Sequence, residues 1–274
     1  MPSAERMPVL ERLSMQVMRR WLDARTVGRH LYIFDEVDST NSALAGLARE
    51  GAEDGTVVLA EAQRRGRGRL GQPWFSPAGV NLYASVLFRV PVAVDEVGPF
   101  SFLASLAVSD AIKDLGLAPA IKWPNDVLIA RKKVAGALME LASRGAVVEH
   151  VVLGVGVNLN VDVQQLHAAL GPAGVAATSV AASLGRPVDR SVFAASYLNH
   201  LESWLLRYRA EGSAPLIAAW RERDILTGRR VEVRSATETT GGRVLGIDDE
   251  GRLLVRAASG DRRVIVTEEI RVLD

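Results

Sequence analysis

Apolar and polar residues recur along this chain with two periods, and the change from one to the other divides it. Residues 9–24 carry apolar positions at helical spacing and predict an amphipathic helix. A strand-like run follows at 32–37 (YIFDEV). In 38–50, Ser39 or Thr40 caps a helix that turns Ala43, Leu44 and Leu47 toward the core. Residues 56–63 and 80–90 predict two strands, and 97–115 a buried helix with Phe100, Leu103, Leu106, Ala107 and Leu115 on or near one face. Residues 121–141 hold a Trp-Pro turn and a short hairpin that leads through Arg131, Lys132 and Lys133 into a strand. Residues 147–161 form a β-branched strand interrupted by Gly154 and Gly156, and helices follow over 177–185, 188–212 and 214–224. From residue 227 the period becomes two, with turns at 241–242, 248–251 and 259–261. About five short strands there predict a small barrel appended as a second domain. The expected division is 1–225 and 226–274.

Composition narrows the function classes. The 48% hydrophobic and 24% charged content is ordinary for a globular protein, and net charge +1 gives no global field toward nucleic acid or acidic membranes. The absence of cysteine removes disulfides, thiolate zinc sites and a cysteine nucleophile. His30, His150, His167 and His200 show no metal-ligand spacing. Without a signal-peptide core or an apolar run of membrane-spanning length, a soluble cytoplasmic protein with no membrane partner is expected.

The basic character is concentrated in residues 63–74, QRRGRGRLGQPW, between two predicted strands. Glycines let a backbone approach a ligand closely, and arginine offers a planar fork to phosphate and carboxylate. Three readings stand for the run alone: a solvated turn, a nucleic-acid patch, or a loop closing on a small anion. Trp74 and Phe75 pin its end to the core. KWPND at 122–126 reads as a turn with an Asn/Asp cap or as a polar site, and Lys133 as a solvated strand start or a functional cation. Gly136 points to a close approach of backbone or ligand. GVGVN at 154–158 is followed by a loop rather than a glycine-opened helix, so it predicts a pocket floor and not a dinucleotide fingerprint.

The order of the motifs carries more than any one of them. STN, Q..GRGR.G..W.SP, NLY, KWPND, K.AG and GVGVNLN, followed by a five-strand tail, resemble the biotin–protein ligases in register from about residue 33 to the C-terminus. The short N-terminal segment matches the class that lacks a DNA-binding domain. The resemblance implies an α+β fold, with a mixed sheet backed by helices like class II aminoacyl-tRNA synthetases and an SH3-like C-terminal barrel. It implies ATP-dependent activation of biotin to biotinyl-5′-AMP, then transfer to a lysine of a biotin carboxyl carrier protein. Mg²⁺ accompanies the nucleotide, DNA is not a partner, and a sheet-edge homodimer is compatible.

Carried onto this chain, the resemblance implies that Ser39, Thr40, Asn41 and Gln63 bind biotin, with Gly154 and Gly156 beneath it. Gly66 and Arg67 hold its tail and carboxylate. Lys133 bridges carboxylate and α-phosphate, and Lys133, Arg67 and Arg69 form the catalytic set. Arg69, Trp74, Asn125, Asp126, Asn158 and Arg190 contact the nucleotide, Asn125 and Asp126 through Mg²⁺. Leu70 and Gln72 stand where many relatives have arginine, and Arg64 and Arg65 where small residues are usual. The loop is expected to be mobile until an anion binds and then to shield the adenylate from water. A lipoate–protein ligase is the nearest alternative. A nucleic-acid-binding module, from a different class, is disfavoured by the net charge and the lack of interleaved aromatics.

Overall fold

Two sheets organise the chain. The computed structural model describes residues 11–90, 92–94, 96–234, 239–266 and 269–273. The larger sheet contains β1 (Leu31–Val37), β2 (Val57–Gln63), β3 (Leu82–Phe88), β4 (Pro119–Lys122), β5 (Asp126–Ile129), β6 (Lys132–Arg144) and β7 (Val147–Val157), in the order β1-β2-β3-β7-β6-β5-β4. β1 and β2 run parallel, which requires a crossover, and helix α2 (Thr40–Arg49) supplies it. The other described pairs in this sheet are antiparallel.

β3 is buried along its whole length, as a strand covered on both faces must be, and its sequence LYASVLF is accordingly apolar except for Ser85 and the Tyr83 hydroxyl, both of which are hydrogen-bonded. On one face Leu44 and Ala48 of α2 pack on Val58, Leu87 and Val152. Complete burial of a side chain such as Leu44 contributes about 1.5–3 kcal/mol. On the other face lie α3 (Phe102–Asp114), α6 (Arg190–Glu211) and α7 (Ala214–Arg223). Among the described residues no helix is long and apolar enough to cross a membrane.

The first helix departs from its expected span. α1 covers Met15–Trp21, capped by the Ser14 hydroxyl, and Leu22 is already extended. Past it, Asn199 accepts the amides of Asp23 and Ala24, and Glu202 accepts those of Arg25, Thr26 and Val27. Side chains of α6 satisfy these donors, so the helix need not continue. Residues 9 and 10 of the expected span lie outside the described residues. The strand expected over 147–161 stops at Val157, where the Asn158 amide turns to the Val134 carbonyl at 2.8 Å. A helix not foreseen, α4 (Val163–Leu170), follows with Asp162 as its cap, and α5 (Val180–Leu184) lies within the expected 177–185 segment.

The C-terminal segment forms five strands, as expected: β8 (Arg230–Arg234), β9 (Thr239–Ile247), β10 (Leu253–Ala257), β11 (Arg262–Ile265) and β12 (Glu269–Val272). The turn expected at 241–242 is not there, because Gly241 and Gly242 lie within β9, paired with Glu232 and Val231 of β8. All pairs are antiparallel, in the order β11-β10-β9-β8-β12, and among the described residues no pairing joins β11 to β12 to close a barrel. Its inner face is not a separate core. Val231, Val244, Leu253 and Ile270 join the cluster of α3 and α7, and Trp123 donates to the Gly251 carbonyl at 3.0 Å.

Candidate active site

Register builds the floor of a cleft. β6 and β7 pair Gly136 with Gly156 and Leu138 with Gly154, and β3 sets Ser85 opposite Gly154. Because alternate residues of a strand share a face, Gly136, Leu138 and Glu140 point the same way. Side chains from elsewhere fill the space that the glycines leave. A Cβ on Gly156 would lie 2.4 Å from the Trp74 indole, and one on Gly154 would lie 2.0 Å from Asn41 Oδ1. Both positions require glycine because of this close approach.

One end of the cleft is uncharged and tightly hydrogen-bonded. The Ser85 hydroxyl bridges Thr40 Oγ1 (2.8 Å) and Asn41 Oδ1 (2.6 Å). Gln63 accepts the Thr40 amide at 2.9 Å and donates to Ser76 at 3.0 Å. The cap expected from Ser39 or Thr40 therefore takes another form: Ser39 holds the N-cap position without a side-chain bond, and Gln63 satisfies the Thr40 amide. Ser39, Thr40 and Asn41 are buried and line the cleft.

The basic loop closes over this end. Arg67 donates to Glu140 Oε1 (3.1 Å) and to the Ser42 hydroxyl (3.0 Å), spanning from β6 to α2. Asn41 donates to the other oxygen of Glu140 at 2.9 Å. Gly66 is buried at the base of the loop, its carbonyl accepting the Trp74 amide at 2.9 Å. Tyr83 donates to the Pro77 carbonyl at 2.9 Å, and burial pushes its phenol far above the usual range, so it stays a donor that pins the outgoing chain. Arg64 faces away, bound to Asp38 (2.9 Å) and Glu36 (3.1 Å), which raise its pKa, and Arg65 is exposed. Leu70, exposed on the cleft rim, sits at φ 53°, uncommon for a residue with a Cβ. Gln72 also lines the rim.

The other end is charged. Lys133 Nζ lies 2.6 Å from Asp126 Oδ1 and 5.3 Å from the centre of the Trp74 ring. A register shift between Val127 and Leu128 sets Lys133 opposite Leu128 and Ala135 opposite Val127. Such bulges re-aim side chains. The turn before it holds Ala130 and Arg131 at φ 48° and 66°, left-handed geometry that hairpins more often give to Asn-Gly. The KWPND turn contains a cis Trp123–Pro124 bond, and Asn125 donates to the Ala137 carbonyl. Arg69 lies over the Trp123 ring at 5.8 Å.

Two cavities meet here. The cleft described so far encloses about 270 Å³, and a larger one of about 940 Å³ lies toward α4 and the C-terminal sheet. Trp74, Lys122, Asp126 and Lys133 line both. The Trp74 indole N–H is buried with no hydrogen-bond partner among the described residues.

Residues 33–158 match the model of the biotin/lipoate A/B protein ligase family, and 226–270 match that of the biotin protein ligase C terminal domain. The biotin–[acetyl-CoA-carboxylase] ligase of Paracoccus denitrificans is 36% identical over 237 residues, covering 85% of this chain and 96% of that protein. The chain belongs to the biotin protein ligase family. The bifunctional ligase/repressor BirA of Bacillus subtilis is 32% identical over 254 residues, 92% of this ligase and 77% of the relative. In fold, this ligase is similar to the biotin protein ligase of Aquifex aeolicus in complex with biotin and ATP, at a TM-score of 0.74 and 24% identity, covering 89% of this chain and all of that one.

Not every expected site residue of the ligase reaches the cleft. Arg190 is buried, with Nη1 2.8 Å from Glu61 and 3.4 Å from the Asn81 carbonyl and Nη2 2.7 Å from the Glu11 carbonyl. It ties the N-terminal segment to β2 rather than facing a nucleotide. Asn158 lines the larger cavity, but its amide donates to the Thr178 carbonyl at 3.2 Å, so it joins β7 to the segment before α5. Conversely, Glu140, Ser85 and Lys122 belong to the site and were not among its expected members. Glu140 was legible in principle, since it lies on the strand face marked by Gly136.

Proposed function

We infer that this ligase activates biotin with ATP and passes it to a lysine of a biotin carboxyl carrier protein. The observation that carries this reading is the position of Lys133, which lines both the smaller cleft, at the end away from the uncharged groups of Ser39, Thr40, Asn41 and Gln63, and the larger cavity. Biotin occupies the smaller cleft, its ureido ring among Ser39, Thr40, Asn41 and Gln63, its carboxylate toward Lys133. The nucleotide occupies the larger cavity, with its α-phosphate at the join and Trp74 between the two ligands. A carboxylate oxygen attacks the α-phosphorus, the bond to the β-phosphate oxygen breaks, and pyrophosphate leaves. Two anions repel as they approach, so Lys133, Arg67 and Arg69 neutralise them. Charge-assisted hydrogen bonds contribute roughly 1.5–3 kcal/mol each, and those aimed at the reacting centre act on the barrier. In the second step the acceptor lysine amine attacks the acyl carbon of the mixed anhydride, and AMP leaves as the amide forms.

Among the described residues no group of three His, Asp or Glu converges to hold a metal by itself, and Asp126 is engaged by Lys133. Those donors suit Mg²⁺ only as a companion of the triphosphate, whose charge it neutralises when bound. We further read 1–225 as the catalytic domain and 226–274 as an SH3-like barrel domain. The cytoplasm is the compartment that supplies ATP and acceptor, and the outer edge of β1 suits a sheet-edge homodimer.

The test is pyrophosphate release from ATP with biotin or with lipoate. Release that depends on biotin is the expected result; equal release with lipoate and none with biotin contradicts it. The matched family model also covers lipoate ligases, and the polar cleft end favours biotin, because its four amide and hydroxyl groups suit a ureido ring and not an apolar dithiolane.

A further inference from the structure

We propose that a row of arginines across the C-terminal sheet is a docking track for an acidic surface of the acceptor protein, a proposal that rests on the ligase reading above. The row follows from register: Arg262 lies opposite Arg256, Arg256 opposite Arg243, and Arg243 opposite Arg230. Directly opposed residues of antiparallel strands share a face, with Cβ atoms about 4.5–5.5 Å apart. Four guanidinium-bearing positions thus line up over about 14 Å, at the roughly 4.8 Å spacing of neighbouring strands. All four are exposed.

Local stability does not account for this arrangement. Like charges directly opposed in a sheet are destabilising, and here three such pairs follow one another. Two other arginines of this region have carboxylate partners: Arg252, just before β10, with Asp248 (2.7 Å) and Glu250 (2.8 Å), and Arg234 with Glu232 (3.2 Å). Among the described residues Arg243, Arg256 and Arg262 have no carboxylate partner, and Arg243 donates from Nε to the Gly228 carbonyl. A row of cations held together against their repulsion is complementary to carboxylates brought by a partner.

Its position says which partner. Glu232 and Arg234 alternate with Val231 and Val233 along β8 and so share the face of Arg230, and Arg271 stands opposite Glu232. Glu232, Arg234 and Arg271 line the larger cavity, so the row runs from the open sheet to the mouth of the site. A protein that must deliver a lysine amine to Lys133 crosses this face. Nucleic acid fits less well. Residues 226–274 contain no Trp, Tyr or Phe on which a base could stack, and the chain's net charge is only +1.

The test compares the full chain with its Arg243→Thr/Arg256→Thr/Arg262→Thr variant, using a biotin carboxyl carrier domain as acceptor. Electrostatic steering raises association rates by 10- to 1000-fold at low ionic strength. We therefore expect the variant's KM for the acceptor to rise about tenfold in low salt, with its steep salt dependence lost. Biotin-dependent pyrophosphate release and Tm should not fall, because repulsion has been removed. If the triple variant does not fold, Arg256→Thr alone carries the test with a smaller KM rise. Equal transfer by variant and wild type at every salt concentration overturns the docking track while leaving the ligase reading intact. A wild type that forms no adenylate overturns both. A short DNA duplex bound by the wild type and released by the variant overturns the acidic-protein partner.

Discussion

Two cation–carboxylate pairs of similar length do opposite things in this molecule. Arg190 and Glu61 lie 2.8 Å apart with side chains 2% and 8% exposed, and Lys133 and Asp126 lie 2.6 Å apart with side chains 38% and 21% exposed. Around Arg190 the protein fills the remaining space: Nη2 reaches the Glu11 carbonyl, while Glu61 accepts the Leu13 amide at 2.6 Å. Around Lys133 the remaining space is two cavities. A pair closed on itself fastens the fold, and a pair opened to a cavity can exchange its carboxylate for a ligand's. Bond length alone does not separate these roles; burial and the identity of the other neighbours do.

The largest effect expected from breaking this contrast is on stability. Arg190→Met leaves the buried Glu61 carboxylate with only the Leu13 amide and Arg12 at 4.0 Å, and loss of one partner of a buried pair costs up to about 3–5 kcal/mol. Denaturant unfolding should show that loss, while nucleotide affinity of the folded variant stays unchanged. An Arg190→Met chain that unfolds like the wild type but binds ATP poorly would return Arg190 to the nucleotide site.

A smaller effect sharpens the comparison at the loop. Arg67 and Glu140 are 37% and 39% exposed, so their ion pair contributes about 0–1 kcal/mol. Glu140→Gln should therefore make proteolysis within residues 64–72 up to about fivefold faster without ligand, the factor that 1 kcal/mol allows. Biotin and ATP together should restore protection. Cleavage at the wild-type rate would mean that the clasp does not hold the loop. Smallest of all is the stability change in Lys133→Met, within about 0.5 kcal/mol, because the side chain reaches into a cavity rather than a packed core.

The sequence made the motifs legible because each is local. QRRGRGRLGQPW does connect two strands, KWPND does form the turn between β4 and β5, and Gly154 and Gly156 do lie under side chains that need their space. What could not be read depends on partners distant in the chain. Arg190 follows a capping Asp189 and has the look of an exposed helix start; its burial is decided by Glu61 and Asn81, on and beside strands more than a hundred residues earlier. The first helix ends early because Asn199 and Glu202 satisfy the next amides. The continuity of the core between the two sheets has the same origin. An abrupt change of period marks a change of architecture, and hydrophobic contact can still cross it.

If biotin carboxylate and ATP α-phosphate meet at Lys133, Lys133→Met removes the cation between them. Pyrophosphate release at saturating biotin and ATP should fall about 10²–10³-fold, the usual loss when one charge-stabilising donor is removed from a reacting centre. Biotin binding, measured by calorimetry on the same sample, should persist. Near-normal release from a folded Lys133→Met chain would contradict the account.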